Sequence, residues 1–227
     1  MRLKNNVNVF NQDVSDMAGY RYSDSSVSIS KLFSNSRTSS AIEAATNWRG
    51  KKVIDIGCGD GAFTMEFAAF GVASVMGVDP ADQAIEIARH RAARDGVSDR
   101  VAFRAESVYA LPDLGARYDV AVLRGVLHHL PDQQRAVQAV AAVADEIVIL
   151  EPNGFNPVLK VIERVSPYHR AHEEQSFIPS TIDTWLRRSG KKPTGGRLIN
   201  LVPLFCPDGA ARVLKALEPV VEAIPVV

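Results

Sequence analysis

Asp55, Gly57, Gly59 and Gly61 are the densest group of residues that could do chemistry. They lie in the run Val53-Ile54-Asp55-Ile56-Gly57-Cys58-Gly59-Asp60-Gly61. A short apolar stretch ends in an acid, and glycines then alternate with other residues. That pattern reads as a buried strand turning sharply into a helix. A turn without side-chain bulk lets backbone N–H groups come close to a ligand. The carboxylate of Asp55 faces whatever rests on the glycines. It would repel a phosphate and attract a ligand carrying an ammonium and a sulfonium.

The glycine spacing has a second reading. Gly57, Gly59 and Ala62 also satisfy the G-x-G-x-x-G/A dinucleotide fingerprint, and Asp79 lies at about the ~20-residue spacing that fingerprint asks for. A glycine-rich turn with no ligand is the plain alternative. Asp79 ends the second apolar strand, where a carboxylate can accept two hydrogen bonds from a ribose diol. It could instead cap the helix that begins near Pro80.

Two groups of histidines follow. His128 and His129 are adjacent in Val126-Leu127-His128-His129-Leu130-Pro131-Asp132. On a helix they would point about 100° apart, so at most one faces a pocket. An imidazole can remove a proton from a hydroxyl or ammonium nucleophile near neutral pH. His128 is expected to be the exposed one and His129 to pack beneath a cofactor. In Tyr168-His169-Arg170-Ala171-His172-Glu173-Glu174, His169, His172 and Glu173 share one face if helical. A metal site is one reading, but the H-E-x-x-H form is lacking and no further ligand is evident. A substrate lid carrying a general base is another, and a solvated polar helix is the third. No metal is expected.

The glycine run resembles the first motif of the class I S-adenosylmethionine (SAM)-dependent methyltransferases. Tyr118 to Asp132, with its VLHHLPD ending, resembles the fourth-strand motif of the ubiquinone/menaquinone-type small-molecule methyltransferases. Together the two motifs cover about residues 50–151 and are specific as a pair. They imply a Rossmann-like fold and SAM as cofactor. By resemblance, Asp55, Gly57, Cys58, Gly59 and Gly61 hold the methionine part, Asp79 with Pro80 takes the ribose, and Glu106 and Ser107 flank adenine. Arg124 and Gly125 begin the loop facing the reactive methyl. Glu106 stands where Asp is commoner, and Arg124 replaces a small or polar residue, so it could bind an anionic substrate or close over the cofactor. Tyr168 and Glu173 follow the fifth strand, where such enzymes insert substrate-recognition elements. Tyr20 and Tyr22 belong to an N-terminal lid. The implied reaction moves the sulfonium methyl to an O or N atom of a small metabolite or a glycan- or lipid-type acceptor. Two other classes stay open on the sequence: an NAD-dependent oxidoreductase, although no Tyr-x-x-x-Lys pair is present, and a SAM-binding protein without catalysis.

These residues need elements to place them. Strands are expected at Val53–Ile56, Ser74–Val78, Val101–Arg104, Asp119–Leu123 and Glu146–Leu150. Helices are expected at Ala62–Phe70, Ala81–Arg94, within Pro131–Ala144, and over Val126–Leu130. Regular alternation with short apolar strands means an α/β fold: a doubly wound, mostly parallel sheet with helices on both faces. Residues 1–49 read as an N-terminal cap whose helix spans 38–48, opened by Thr38 or Ser39. Residues 50–151 form the cofactor-binding core. Residues 152–227 read as an insertion after the fifth strand, with helices at Val158–Val165 and up to Arg188, then a late strand at Arg197–Phe205 and a last helix at Ala210–Val221. Ile224-Pro225-Val226-Val227 is strand-like, as if a final strand followed.

The bulk numbers narrow the partners. The chain has 227 residues, enough for one large α/β domain. Lys plus Arg and Asp plus Glu are each 26, so the formal net charge is zero. A nucleic-acid partner would favour a basic surface, and the motifs of amino-group and cytosine base methylation are absent. Arg187, Arg188, Lys191 and Lys192 read as a cationic helix end. Two cysteines, Cys58 and Cys206, make no disulfide framework and suit a reducing cytoplasm. No run approaches the ~18 apolar residues of a membrane span. The apolar face of the last helix suits its own core first, and otherwise a lipid-like acceptor or the contact of a homodimer.

Overall fold

Val53, Ile54, Val120, Ala121 and Leu123 are fully buried. Side chains buried on both faces are what a strand inside a parallel sheet must carry. The structure, a computed structural model, describes residues 28–165, 175–204 and 206–223. Five described strands, β1 (Lys52–Ile56), β2 (Ser74–Asp79), β3 (Val101–Ala105), β4 (Tyr118–Arg124) and β5 (Ala144–Leu150), pair in the order β3-β2-β1-β4-β5. Every pairing is parallel. All five carboxyl ends therefore lie along one edge, and the strand order reverses between β1 and β4. In open α/β sheets that reversal leaves a crevice outside the carboxyl ends.

The described residues fall into two compact units, 48–194 and 28–47 with 195–223. The first holds the sheet with α2 (Glu66–Ala69), α3 (Asp82–Arg94), α4 (Gln133–Val143), α5 (Pro157–Val165) and α6 (Pro179–Arg188). Ala84, Ile85, Ala88 and Ala92 form the buried stripe of α3, and Ala136, Val137 and Val140 that of α4. After β5 the chain is tied back at Gly154, whose amide donates to the Phe177 carbonyl at 2.9 Å. A Cβ there would lie 2.5 Å from the Phe177 carbonyl carbon, so only glycine fits. Phe177 and Trp185 then meet edge-on, 4.9 Å apart, against the core.

The second unit pairs α1 (Ile29–Glu43) with α7 (Asp208–Glu222). Here two expectations fail and a third holds only in part. The early helix starts at Ile29, not in the 38–39 region, because Ser28 caps it by accepting from the Lys31 amide. Thr38 is mid-helix and donates its hydroxyl to the Ser34 and Asn35 carbonyls. The strand expected at 197–205 is absent among the described residues. Its amides go to carboxylates of α7 instead: Asn200 N–H donates to Glu222 at 2.7 Å and Leu201 N–H to Glu218 at 3.1 Å. Asn200 also sits at φ +66°, outside strand geometry. Glu222 binds Arg37 of α1 as well, and Glu218 pairs with Lys215. The burial expected for the last helix fails in part, since Val213, Leu217, Val220 and Val221 are exposed. Among the described residues no helix is long and apolar enough to cross a membrane.

Candidate functional site

The turn after β1 is built as its residues require. Gly57, Gly59 and Gly61 have φ of +68°, +53° and +73°. At Gly57 a Cβ would fall 2.6 Å from Val126 Cγ2, so the β1 turn and the β4 turn touch at the switch point. The expected helix Ala62–Phe70 shrinks to α2, because tight turns continue through Met65, starting with the Asp60 carboxylate accepting from the Ala62 amide at 3.2 Å.

Two carboxylates flank this turn. Asp55 is 5% exposed and accepts the Thr64 hydroxyl at 2.6 Å. Burial pushes its carboxyl up to about 6, against the lowering effects of the Thr64 bond and of Arg124. Asp79 accepts the Gly59 amide at 3.0 Å through Oδ2 and the Ala81 amide at 2.9 Å through Oδ1. Burial likewise pushes it up to about 6. The helix-cap reading of Asp79 does not hold, since the residue capping α3 is Ala81 and Asp79 closes a turn before it. A third acid, Asp60, is already matched by Arg91 at 3.1 Å. Buried Asp55 and half-buried Asp79, both with raised proton affinity, favour a cation arriving beside them.

The other expected positions spread along the same edge. Cys58 is half-buried in the turn, its thiol pushed well up, chiefly by burial. Pro80 is exposed. Glu106 and Ser107 follow β3. The Glu106 amide donates to the Asp79 carbonyl at 3.0 Å, and its carboxylate accepts from the Ser107 amide at 3.0 Å. Arg124 ends β4 with its guanidinium 3.6 Å over the Phe63 ring and 3.5 Å from Glu66. In the β1–β4 register Asp55 is opposite Val122, so Arg124, two residues on, points to the same side of the sheet as Asp55. The structure therefore brings together Asp55, the glycines, Asp79 and Arg124.

The loop after β4 departs from expectation. Leu127–His129 is a 3-10 turn rather than a helix. Glu151, at the end of β5, takes the Val126 and Leu127 amides at 2.8 and 2.7 Å, which leaves them outside any α-helical ladder. The two histidines are not splayed about 100° apart on a helix: their ring centroids lie 3.9 Å apart, tilted 46°. Nor is His128 the exposed one. It is buried, with Nδ1 2.7 Å from Glu151 Oε2, while His129 is partly exposed. His169, His172, Tyr168, Glu173, Tyr20 and Tyr22 lie outside the described residues.

Glu151 and Thr64 escaped the sequence reading. Glu151 had a usable signal: an acid at the carboxyl end of an apolar strand, as at Asp55 and Asp79. Thr64 had none, because only the fold carries it back over the Asp55 carboxylate.

Comparison with known proteins shows the family and the fold. Residues 53–146 match the family model described as a methyltransferase domain. The ubiquinone biosynthesis O-methyltransferase of Bordetella pertussis is 33% identical over 184 residues, covering 71% of this chain and 70% of that protein. Its counterpart from Hahella chejuensis is 31% identical over 154 residues, covering 61% of each. Among solved structures, the magnesium protoporphyrin IX methyltransferase of Synechocystis PCC 6803 with bound SAM superposes with a TM-score of 0.65 at 17% identity, over 88% of this chain and 92% of that one. A Thermotoga maritima SAM-dependent methyltransferase, titled a possible histamine N-methyltransferase, gives 0.63 at 16% identity over 82% and 80%. At such identities the two structures establish the fold.

Proposed function

Since this chain belongs to the class I SAM-dependent methyltransferases and is an enzyme acting on small molecules, we propose that it methylates a hydroxyl oxygen from SAM seated on the turn after β1. The observation that carries the seating is the convergence of Asp55 and Asp79 on the Gly57–Gly61 turn at the strand-order reversal. The O-methyltransferase names of the relatives favour oxygen.

When bound, SAM supplies a methyl group activated by its positive sulfur. The protein's work is binding and alignment. Asp55, its carboxylate fixed by Thr64, would hold the ammonium end. Asp79, which holds Gly59, would accept from the ribose hydroxyls. Glu106 and Ser107 would border the adenine. Arg124 and Gly125 open the loop that faces the acceptor. Holding the nucleophile in line with the departing sulfur supplies most of the acceleration, so no protein nucleophile is called for. Zero net charge and the absent base-methylation motifs support a small acceptor over nucleic acid.

The test is calorimetry with S-adenosylhomocysteine (SAH), the demethylated product, followed by transfer of labelled methyl from SAM to hydroxyl and amine panels. The reading predicts SAH binding and label on oxygen. Label on nitrogen alone would refute the choice of atom.

A further inference from the structure

Glu151, just past the carboxyl end of β5, has its side chain 1% exposed. Burying a carboxylate is costly unless donors satisfy it. Three donors do so here: the Val126 and Leu127 amides on Oε1 and His128 Nδ1 on Oε2, all at 2.7–2.8 Å. Holding the loop would need only the two amides. The third bond fixes the imidazole. An ionised carboxylate only accepts, so His128 donates from Nδ1 and its lone pair resides on Nε2. The ring lies at the start of the loop after β4: its Cε1, between the two nitrogens, is 3.5 Å from where a Cβ on Gly125 would be. The His129 ring lies against it, tilted 46°, so Glu151 and His129 are titratable neighbours of His128 among the described residues.

We propose that His128 is the general base of the reaction and Glu151 its positioning residue, so that the acceptor is a hydroxyl that must lose its proton as the methyl arrives. This rests on the methyl transfer proposed above. The acceptor O–H bond breaks and its proton passes to Nε2. The oxygen's electron pair forms the O–CH3 bond, and the C–S pair stays on sulfur, leaving SAH. The Glu151 carboxylate stabilises the imidazolium that forms, without itself taking the proton.

The experiment compares two probes, catechol and 4-nitrocatechol, whose more acidic hydroxyl ionises with little help. Wild type should methylate both. His128→Ala and His128→Gln should lose about 100-fold or more in kcat on catechol, within the range for general base catalysis, and at most about 3-fold on 4-nitrocatechol. In Glu151→Gln the amide oxygen still accepts from Val126 and Leu127, but its NH2 faces Nδ1 and moves the imidazole proton to Nε2. That tautomer change is read from imidazole 15N shifts, together with a kcat loss on catechol, an altered pH profile and unchanged SAH affinity. Glu151→Asp should recover part of the rate. If Glu151→Gln does not fold, the His128 variants decide alone. Equal losses on the two probes, no loss from His128 variants, or no transfer to either probe by an enzyme that binds SAH would overturn the proposal. Failure to bind SAH would instead overturn the cofactor reading beneath it.

Discussion

The amide of Gly59 donates to the carboxylate of Asp79, 3.0 Å away and twenty residues downstream. This bond joins the first strand's turn to the second strand's end, so one side chain both shapes the glycine bend and presents an acceptor at its mouth. Asp79→Ala should cost SAH at least tenfold in affinity, about 1.4 kcal/mol. Asp79→Asn, which retains an acceptor for Gly59, should lose less. Calorimetric titration of both variants checks the order.

Acid should weaken cofactor binding. Asp55 and Asp79 are each pushed up from 3.8 to about 6 by burial. Below about pH 6 both take up protons and present no charge to a cation. Affinity for SAM should fall by up to about tenfold per unit per carboxyl as pH drops below that point. Binding above it should be nearly free of proton exchange. Titrations from pH 7.5 to 5 in buffers of different ionisation enthalpy measure both effects.

The same shifts act on the ligand-free fold with the opposite sign. Between 3.8 and about 6 the folded carboxyls keep protons that the unfolded chain has released. These two groups therefore favour the folded state fully below that window, and the advantage is lost as pH rises through it. Asp55→Asn and Asp79→Asn should flatten this part of the stability–pH curve obtained by urea titration.

Arg124 and Thr64 both hold the Asp55 carboxyl down against its burial. Removing either, as Arg124→Gln or Thr64→Val, should move the midpoint of the SAM-affinity pH profile upward. Arg124→Gln also ends the stacking on Phe63. A midpoint that does not move in either variant would separate Asp55 from cofactor binding.

Gly57 tests the packing of the two turns. Alanine there must adopt φ near +68° and bring a Cβ within 2.6 Å of Val126. The left-handed conformation alone costs about 1–2 kcal/mol, or roughly 2–4 °C in Tm per kcal/mol for a chain of this size. Gly57→Ala with Val126→Ala should recover the part due to the clash, which differential scanning calorimetry would resolve.

The sheet was legible because its strands are short apolar runs that end in acids or glycines, and such runs suit only a strand covered on both faces. Asp55, the glycines and Asp79 were legible for the same reason: parallel pairing sends every strand's carboxyl end to one edge. The loop after β4 was not. Its backbone is decided by the Glu151 carboxylate at the end of another strand, and local periodicity carries no trace of that bond. The segment 197–204 misled for a related cause. Its apolar residues suit a strand, but Glu218 and Glu222 claim its amides.

The most direct measurement sets SAH against NADH in parallel calorimetric titrations of the wild-type protein at pH 7.5. The account predicts saturable one-site binding of SAH and no heat from NADH, because the anionic wall of Asp55 and Asp79 accepts an ammonium and a ribose but opposes a pyrophosphate. Saturable binding of NADH with no response to SAH would contradict it.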